Sequence, residues 1–237
     1  SLDRFQYQPR IQDSVRIPRI LAVGRLVEKK GFALLIQAVA ELRERGIAVQ
    51  ASIAGDGPLA AELEAQITAL DLHDEVHLLG PRTQAEINDL LGSHDVFAAP
   101  FVVGQDGNAD GLPTVLLEAM ARGIRCVAAD VTAVSEVIHS GSPQPGPQQH
   151  QATGWLVPSG DVEALVEALA QAVQPGDHTP MTDAARELVD LHFAAHRQAG
   201  QLRSLVVDHE LNAAQVPQQP APSAESPAPA QLPREGA

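Results

Sequence analysis

The chain has 237 residues, 44% of them hydrophobic, which suits one ordinary globular domain plus some additional chain. A formal net charge of −14 argues against general nucleic-acid binding and against adhesion to anionic membranes by bulk charge, though not against a small anion held by local cations and backbone amides. The lone cysteine, Cys126, excludes an internal disulfide and a cysteine-based zinc cage; set in the apolar run 124–129, it reads as a buried, inert thiol.

Residues 1–18 form a lead-in. The first strand-like run, 19–24, passes directly into GRLVEKKG (24–31), which holds Arg25 and the only two lysines of the chain, Lys29 and Lys30. Apolar residues Phe32, Leu35, Ile36, Val39 and Leu42 recur three or four apart and predict a helix over 31–45. A strand is expected at 49–54, then AGDGPL, then a helix with Pro58 in its first turn that runs to about Leu70. The third strand is read at 76–79, and Thr83 with Glu86 has the spacing of a capping box for a helix over 84–91. Strands at 96–100 and 125–129 flank a helix in which Pro113 takes the first position; a last strand lies at 155–157, and Asp161 opens a helix over 162–173. Residues 176–211 read as a C-terminal helical segment. The stretch 212–237, rich in proline, alanine, glutamine and serine and without apolar periodicity, reads as a disordered tail. No apolar run approaches the length of a bilayer span and no signal peptide is recognised, so the expected location is cytoplasmic.

Strand–helix alternation over 19–175 predicts an α/β domain, a parallel sheet with helices on both faces, whose ligands bind at the carboxyl ends of the strands. The loops there are 25–30, 55–58, 80–83, 101–112 and 130–135. In the first, the helix-start amides with Arg25 and one or both lysines make a pocket suited to phosphate oxygens; a solvated turn with surface cations is the plainer alternative. Gly55-Asp-Gly57-Pro loosely fits a dinucleotide fingerprint but sits on the second strand, and Pro58 lacks an amide, so a tight turn reads better.

The most specific stretch is ADGLPTVLLEAMARG (109–123). Asp110 and Glu118 have seven residues between them, and Thr114 and Glu118 share one helical face. Glu118 lies among Val115, Leu116, Leu117, Ala119 and Met120, where an unpaired carboxylate is costly, so it calls for donors such as sugar hydroxyls. The alternative is that Glu118 faces solvent.

GRLVEKKG, AGDGPL, DGLPTVLLEAMARG and TGWLVPSGDVEAL, in this order and spacing, resemble the C-terminal, donor-binding half of family 4 retaining glycosyltransferases of the GT-B fold. The loop GQDGNADGLP is most similar to members that build bacterial exopolysaccharide of the colanic-acid type, and SLDRF (1–5) resembles the segment that opens this domain after the interdomain linker. The resemblance runs from Ser1 to about Val173. It implies a Rossmann-like domain forming one half of a GT-B fold and a substrate that is a UDP-, GDP- or ADP-sugar. By the same resemblance Arg25 and Lys30, next to Gly24, hold and stabilise the leaving diphosphate, Glu118 takes the ribose hydroxyls, and Asp110 faces the transferred sugar. Gly111, Leu112 and Thr114, in the segment that also holds Pro113, offer the amides around the sugar and phosphate, and Gly80 with Arg82, in the segment 80–83, lies near the base. Three departures stand out. Asp110 replaces the usual glutamate, one C–C bond shorter, about 1.5 Å; Arg125 stands where proline is common; and 141–152 resembles an insertion. The first bears on sugar choice, the other two on stability and surface.

No Asp-x-Asp occurs, and His192 and His196 lack an accompanying acid, so metal-independent transfer with no cofactor is expected. The resemblance also implies a saccharide or lipid-linked saccharide acceptor held by an N-terminal domain that this chain lacks, no nucleic-acid partner, and any peripheral contact with the inner membrane face made through that other half. On this reading the chain alone is inactive. A stand-alone, non-catalytic nucleotide-sugar-binding or scaffold module is the competing function. Nicotinamide-dependent chemistry would need its fingerprint on the first strand, where the cation loop stands instead.

Overall fold

The structure, a computed structural model, describes residues 16–104, 112–140 and 151–193. Six strands, β1 (Arg19–Val23), β2 (Gln50–Ala54), β3 (Val76–Gly80), β4 (Val96–Ala99), β5 (Arg125–Asp130) and β6 (Trp155–Pro158), make one sheet in the order β3-β2-β1-β4-β5-β6. Every neighbouring pair is parallel. All of β4 and the first five residues of β5 are buried, which is why those strands read as unbroken apolar runs and not as alternation.

Six helices connect and cover the sheet: α1 (Phe32–Glu44), α2 (Ala60–Ala69), α3 (Gln84–Ser93), α4 (Thr114–Ala121), α5 (Val162–Ala172) and α6 (Thr179–His192). The chain steps outward from β1 to β3, then returns across the sheet to place β4 on the far side of β1. Because parallel crossovers are right-handed, that reversal puts α1 and α2 on one face and α3 and α4 on the other. Accordingly α1 packs against α2 and α5, and α4 against α6. The stripe Phe32, Leu35, Ile36, Val39 and Leu42 is the buried face of α1. Reversal of strand order also sets the loops that follow β1 and β4 side by side at the carboxyl ends, the edge along which sheets of this order have their ligand crevice.

Helix starts show where side chains and backbone part company. The Thr83 capping box forms in full, with Glu86 Oε2 accepting from the Thr83 amide at 2.8 Å, and Asp161 Oδ1 accepts from the Ala164 amide at 2.9 Å. Pro113 does not take the first helical position: its ψ of 130° is extended, so it caps α4 from outside. Pro58 likewise stands ahead of α2, in a turn closed by the Ala60 amide on the Gly57 carbonyl at 3.2 Å. Arg125 is interior, only 4% exposed; its guanidinium donates to the Asp95, Ala172 and Gln174 carbonyls and ties the start of β5 to the end of α5, a role in stability. Cys126 is fully buried, and burial pushes its thiol far above the ordinary range. The proposed insertion at 141–152 falls mainly, the segment 176–211 partly, and the tail 212–237 wholly outside the described residues.

Candidate functional site

The cation loop begins by continuing the pairing of β1 past its end. The Gly24 amide donates to the Ala54 carbonyl at 3.0 Å and the Leu26 amide to Asp56 at 2.9 Å, while Leu59 donates back to the Leu26 carbonyl at 3.1 Å. AGDGPL is thus the bed on which the loop rests. A Cβ on Gly55, which sits at φ +154°, would lie 1.8 Å from the Gly24 carbonyl oxygen, so no other residue fits there. The Gly55 amide donates to the Gly80 carbonyl and the Gly57 amide to Asp56 Oδ1. With Leu59 also engaged and Pro58 lacking a donor, these amides serve the turn itself and not a pyrophosphate.

After Leu26 the chain makes one 3-10 turn, Glu28–Lys30, and reverses at Gly31 (φ +64°) into α1. The turn is pressed against the segment after β4: Val102 donates to the Lys29 carbonyl at 3.0 Å, and a Cβ on Gly31 would stand 1.7 Å from the Pro100 oxygen. Lys30 is held from two sides. Its stem lies across Gly24, where an added Cβ would meet Cε at 3.0 Å, and its Nζ sits 5.0 Å from the centroid of the buried Phe101 ring. That geometry is a cation–π contact, which holds the ammonium against the ring. Arg25 is exposed at the rim.

Across the crevice, α4 buries Leu116, Leu117, Ala119 and Met120, and with them Glu118, 8% exposed. The solvent-facing alternative for Glu118 is therefore wrong. Its Oε2 accepts from Gln84 Nε2 at 3.0 Å. One turn further along the same helix pair, Arg122 Nη1 donates to Asn88 Oδ1 at 2.7 Å. Thr114 is exposed at the start of α4, Leu112 and Pro113 are half-buried just before it, and Asp110 and Gly111 lie outside the described residues. Gly80 ends β3 and accepts from Gly55; Arg82, exposed, donates only to its neighbour's carbonyl on Pro81 at 3.2 Å.

Three chain segments thereby lie along the carboxyl edge: 24–31 after β1, 100–102 leading from β4 toward α4, and 80–84 after β3. Backbone bonds join the first to the second, and Gln84 joins the third to α4. Two contributors escape reading from sequence. Phe101 is one aromatic in a loop otherwise scanned for polar groups, and Gln84 is a helix-start residue whose partner lies 34 positions away; only the fold brings such pairs together. Among the described residues no group of three or more His, Cys, Asp or Glu side chains is placed to hold a metal ion.

Residues 17–175 match the family model for glycosyl transferases group 1. The amylovoran biosynthesis glycosyltransferase AmsK of Erwinia amylovora is 34% identical over 203 residues, 85% of this chain and 47% of that protein. The putative colanic acid biosynthesis glycosyltransferase WcaL of Escherichia coli K12 is 35% identical over 195 residues, 81% and 46% of the two chains. The chain thus spans about half the length of these relatives. Among solved structures, Anabaena Alr3699/HepE in complex with UDP superposes with a TM-score of 0.67 at 23% identity, covering 81% of this chain and 49% of the other. The isolated C-terminal domain of the Francisella tularensis group 1 family protein LpcC gives 0.64 at 17% identity and is itself covered over 98% of its length, against 82% of this chain. These likenesses establish the fold, a Rossmann-like GT-B half.

Proposed function

The chain belongs to the glycosyl transferases of group 1, and on that footing we propose that it is the donor-binding half of a retaining enzyme that builds an extracellular polysaccharide. It binds a nucleoside-diphosphate sugar in the crevice along the carboxyl ends of β1 and β4. The observation that carries this reading is the placement of Lys30, stem across Gly24 and ammonium over Phe101, at the crevice that the strand order opens. Relatives named for amylovoran and colanic acid biosynthesis support the polymer class.

Cleavage of the bond between the anomeric carbon and the diphosphate oxygen leaves both bonding electrons on that oxygen. Charge therefore grows on the phosphates as the bond lengthens. Arg25 and Lys30 lower the barrier because they attract this developing charge more strongly than the charge of the intact donor. Glu118 accepts from the ribose hydroxyls and sets the register of the nucleotide along the crevice, so that the diphosphate meets the cations. Asp110 to Thr114 handle the transferred sugar. The acceptor is a saccharide or lipid-linked saccharide presented by a second domain, which also closes the site against water.

The test is titration calorimetry with UDP, GDP, ADP and inorganic pyrophosphate, with and without EDTA. Glu118→Ala removes charged hydrogen bonds of about 1.5–3 kcal/mol each and weakens nucleoside diphosphate at least about tenfold while leaving pyrophosphate alone. Arg25→Ala weakens both. Loss of binding on chelation, or an unchanged nucleotide affinity in Glu118→Ala, defeats the proposal.

A further inference from the structure

We infer that Gln84 is a positioning residue for the Glu118 carboxylate and thereby sets how strongly this chain selects a ribose over a sugar lacking its hydroxyls. The inference rests on the ribose role proposed above for Glu118. It begins from a ladder along the seam of α3 and α4. Gln84 and Asn88 are four apart on α3, and Glu118 and Arg122 four apart on α4; the rungs Gln84–Glu118 and Asn88–Arg122 share one offset of 34 residues. Equal offsets at helical spacing mean that α3 and α4, with Arg122 at the C-cap of the latter, run in the same direction and are bridged by two side-chain bonds. Gly92, the next position along this row of α3, leaves the space that the Arg122 guanidinium fills; a Cβ there would stand 2.8 Å from Nη2.

The lower rung thus fixes register, and the upper rung presents the carboxylate. Gln84 is the first residue of α3, its backbone held by the Thr83–Glu86 capping box immediately before it. From that backbone the exposed Gln84 side chain reaches across to donate to Glu118 Oε2 at 3.0 Å. Glu118 is buried in an apolar stretch, where a carboxylate left to find its own orientation would rotate toward whatever donors are at hand. The Gln84 donor on Oε2 favours one orientation of the carboxylate, the one in which ribose hydroxyls would meet it. The structure also says why the residue is glutamine: a glutamate in its place would set two carboxylates about 3 Å apart, which cannot both ionise without strong repulsion.

The experiment compares wild type, Gln84→Leu and Gln84→Glu, each in the full 237-residue chain, with the tightest-binding of UDP, GDP and ADP, with its 2′,3′-dideoxy counterpart, and with inorganic pyrophosphate. Wild type prefers the ribonucleotide; Gln84→Leu reduces that preference about tenfold by weakening the ribonucleotide alone, and pyrophosphate affinity stays put. Gln84→Glu behaves like Gln84→Leu at pH 8 and regains affinity relative to wild type as pH falls toward 5.5, because a proton shared by the pair restores the lost donor. A packing role moves neither the pH profile nor the ribose preference, and unchanged melting curves show that the fold survives. Full ribose preference in Gln84→Leu, or a flat ratio of Gln84→Glu to wild type across pH, overturns the inference. A wild-type chain that ignores the ribose hydroxyls refutes the role of Glu118 itself, and the inference with it.

Discussion

Gly24→Ala isolates what the placement of Lys30 is worth. Gly24 is not among the positive-φ glycines, so alanine is allowed by the backbone, and restricting the unfolded chain stabilises the fold by about 0.4–1 kcal/mol. The new methyl meets Lys30 Cε at 3.0 Å and Cδ at 3.2 Å, closer than ordinary contact, so the flexible stem moves aside by several tenths of an ångström. That shift displaces the ammonium on the Phe101 ring, weakening a cation–π contact worth about 0.5–1 kcal/mol and disturbing its alignment on the phosphates. We expect pyrophosphate and nucleoside diphosphate affinity to fall about fivefold, near 1 kcal/mol, while the melting temperature holds or rises. The decisive arm is a double-mutant cycle: in a Lys30→Ala background Gly24→Ala costs nothing further. Additive losses would show that Gly24 serves the ligand directly and that its service to Lys30 is incidental.

Gly31→Ala must lose stability, since a Cβ there combines φ +64° with a 1.7 Å approach to the Pro100 oxygen; a cost of about 3 kcal/mol lowers the midpoint by roughly 6–12 °C in a thermal melt, and an unchanged midpoint refutes the contact. Thr83→Ala removes the helix cap, at about 1 kcal/mol by denaturant titration near neutral pH. The Thr83 amide and hydroxyl hold the Glu86 carboxyl below its usual range, so the box stabilises above the unfolded carboxyl pKa and fades as pH falls through the folded one; the Thr83→Ala penalty should shrink in acid. Cys126, buried and held neutral, should resist a thiol reagent until denaturant opens the fold. Finally, the chain alone should bind donor yet transfer no sugar to acceptor, because the ordering of two substrates, worth roughly 7–11 kcal/mol, needs the acceptor-holding domain; nucleotide release at the rate of a full-length enzyme would contradict this.

Local pattern carried much of this protein into view. All six strands and the helices between them were legible because each is a short-range property: apolar runs for strands buried on both faces, three- and four-residue spacing for α1, the Thr83–Glu86 box for α3. Burial of Glu118 could be anticipated as one of two alternatives, because a carboxylate among apolar helix residues conflicts with its surroundings. What sequence could not decide was whatever depends on distant residues meeting. Whether Glu118 faced solvent or interior turned on which flank of α4 the sheet covered. The role of AGDGPL emerged only when strand pairing laid it beneath Gly24 and Leu26, and Arg125 became an interior tie because α5 ends beside it. Lys30 gained Phe101 as a partner, and Glu118 gained Gln84, through the reversal of strand order that brings β4 beside β1. Tertiary structure alone selects such pairs, because the physics that joins them is contact, and contact between residues 34 or 71 positions apart leaves no periodic trace in the chain.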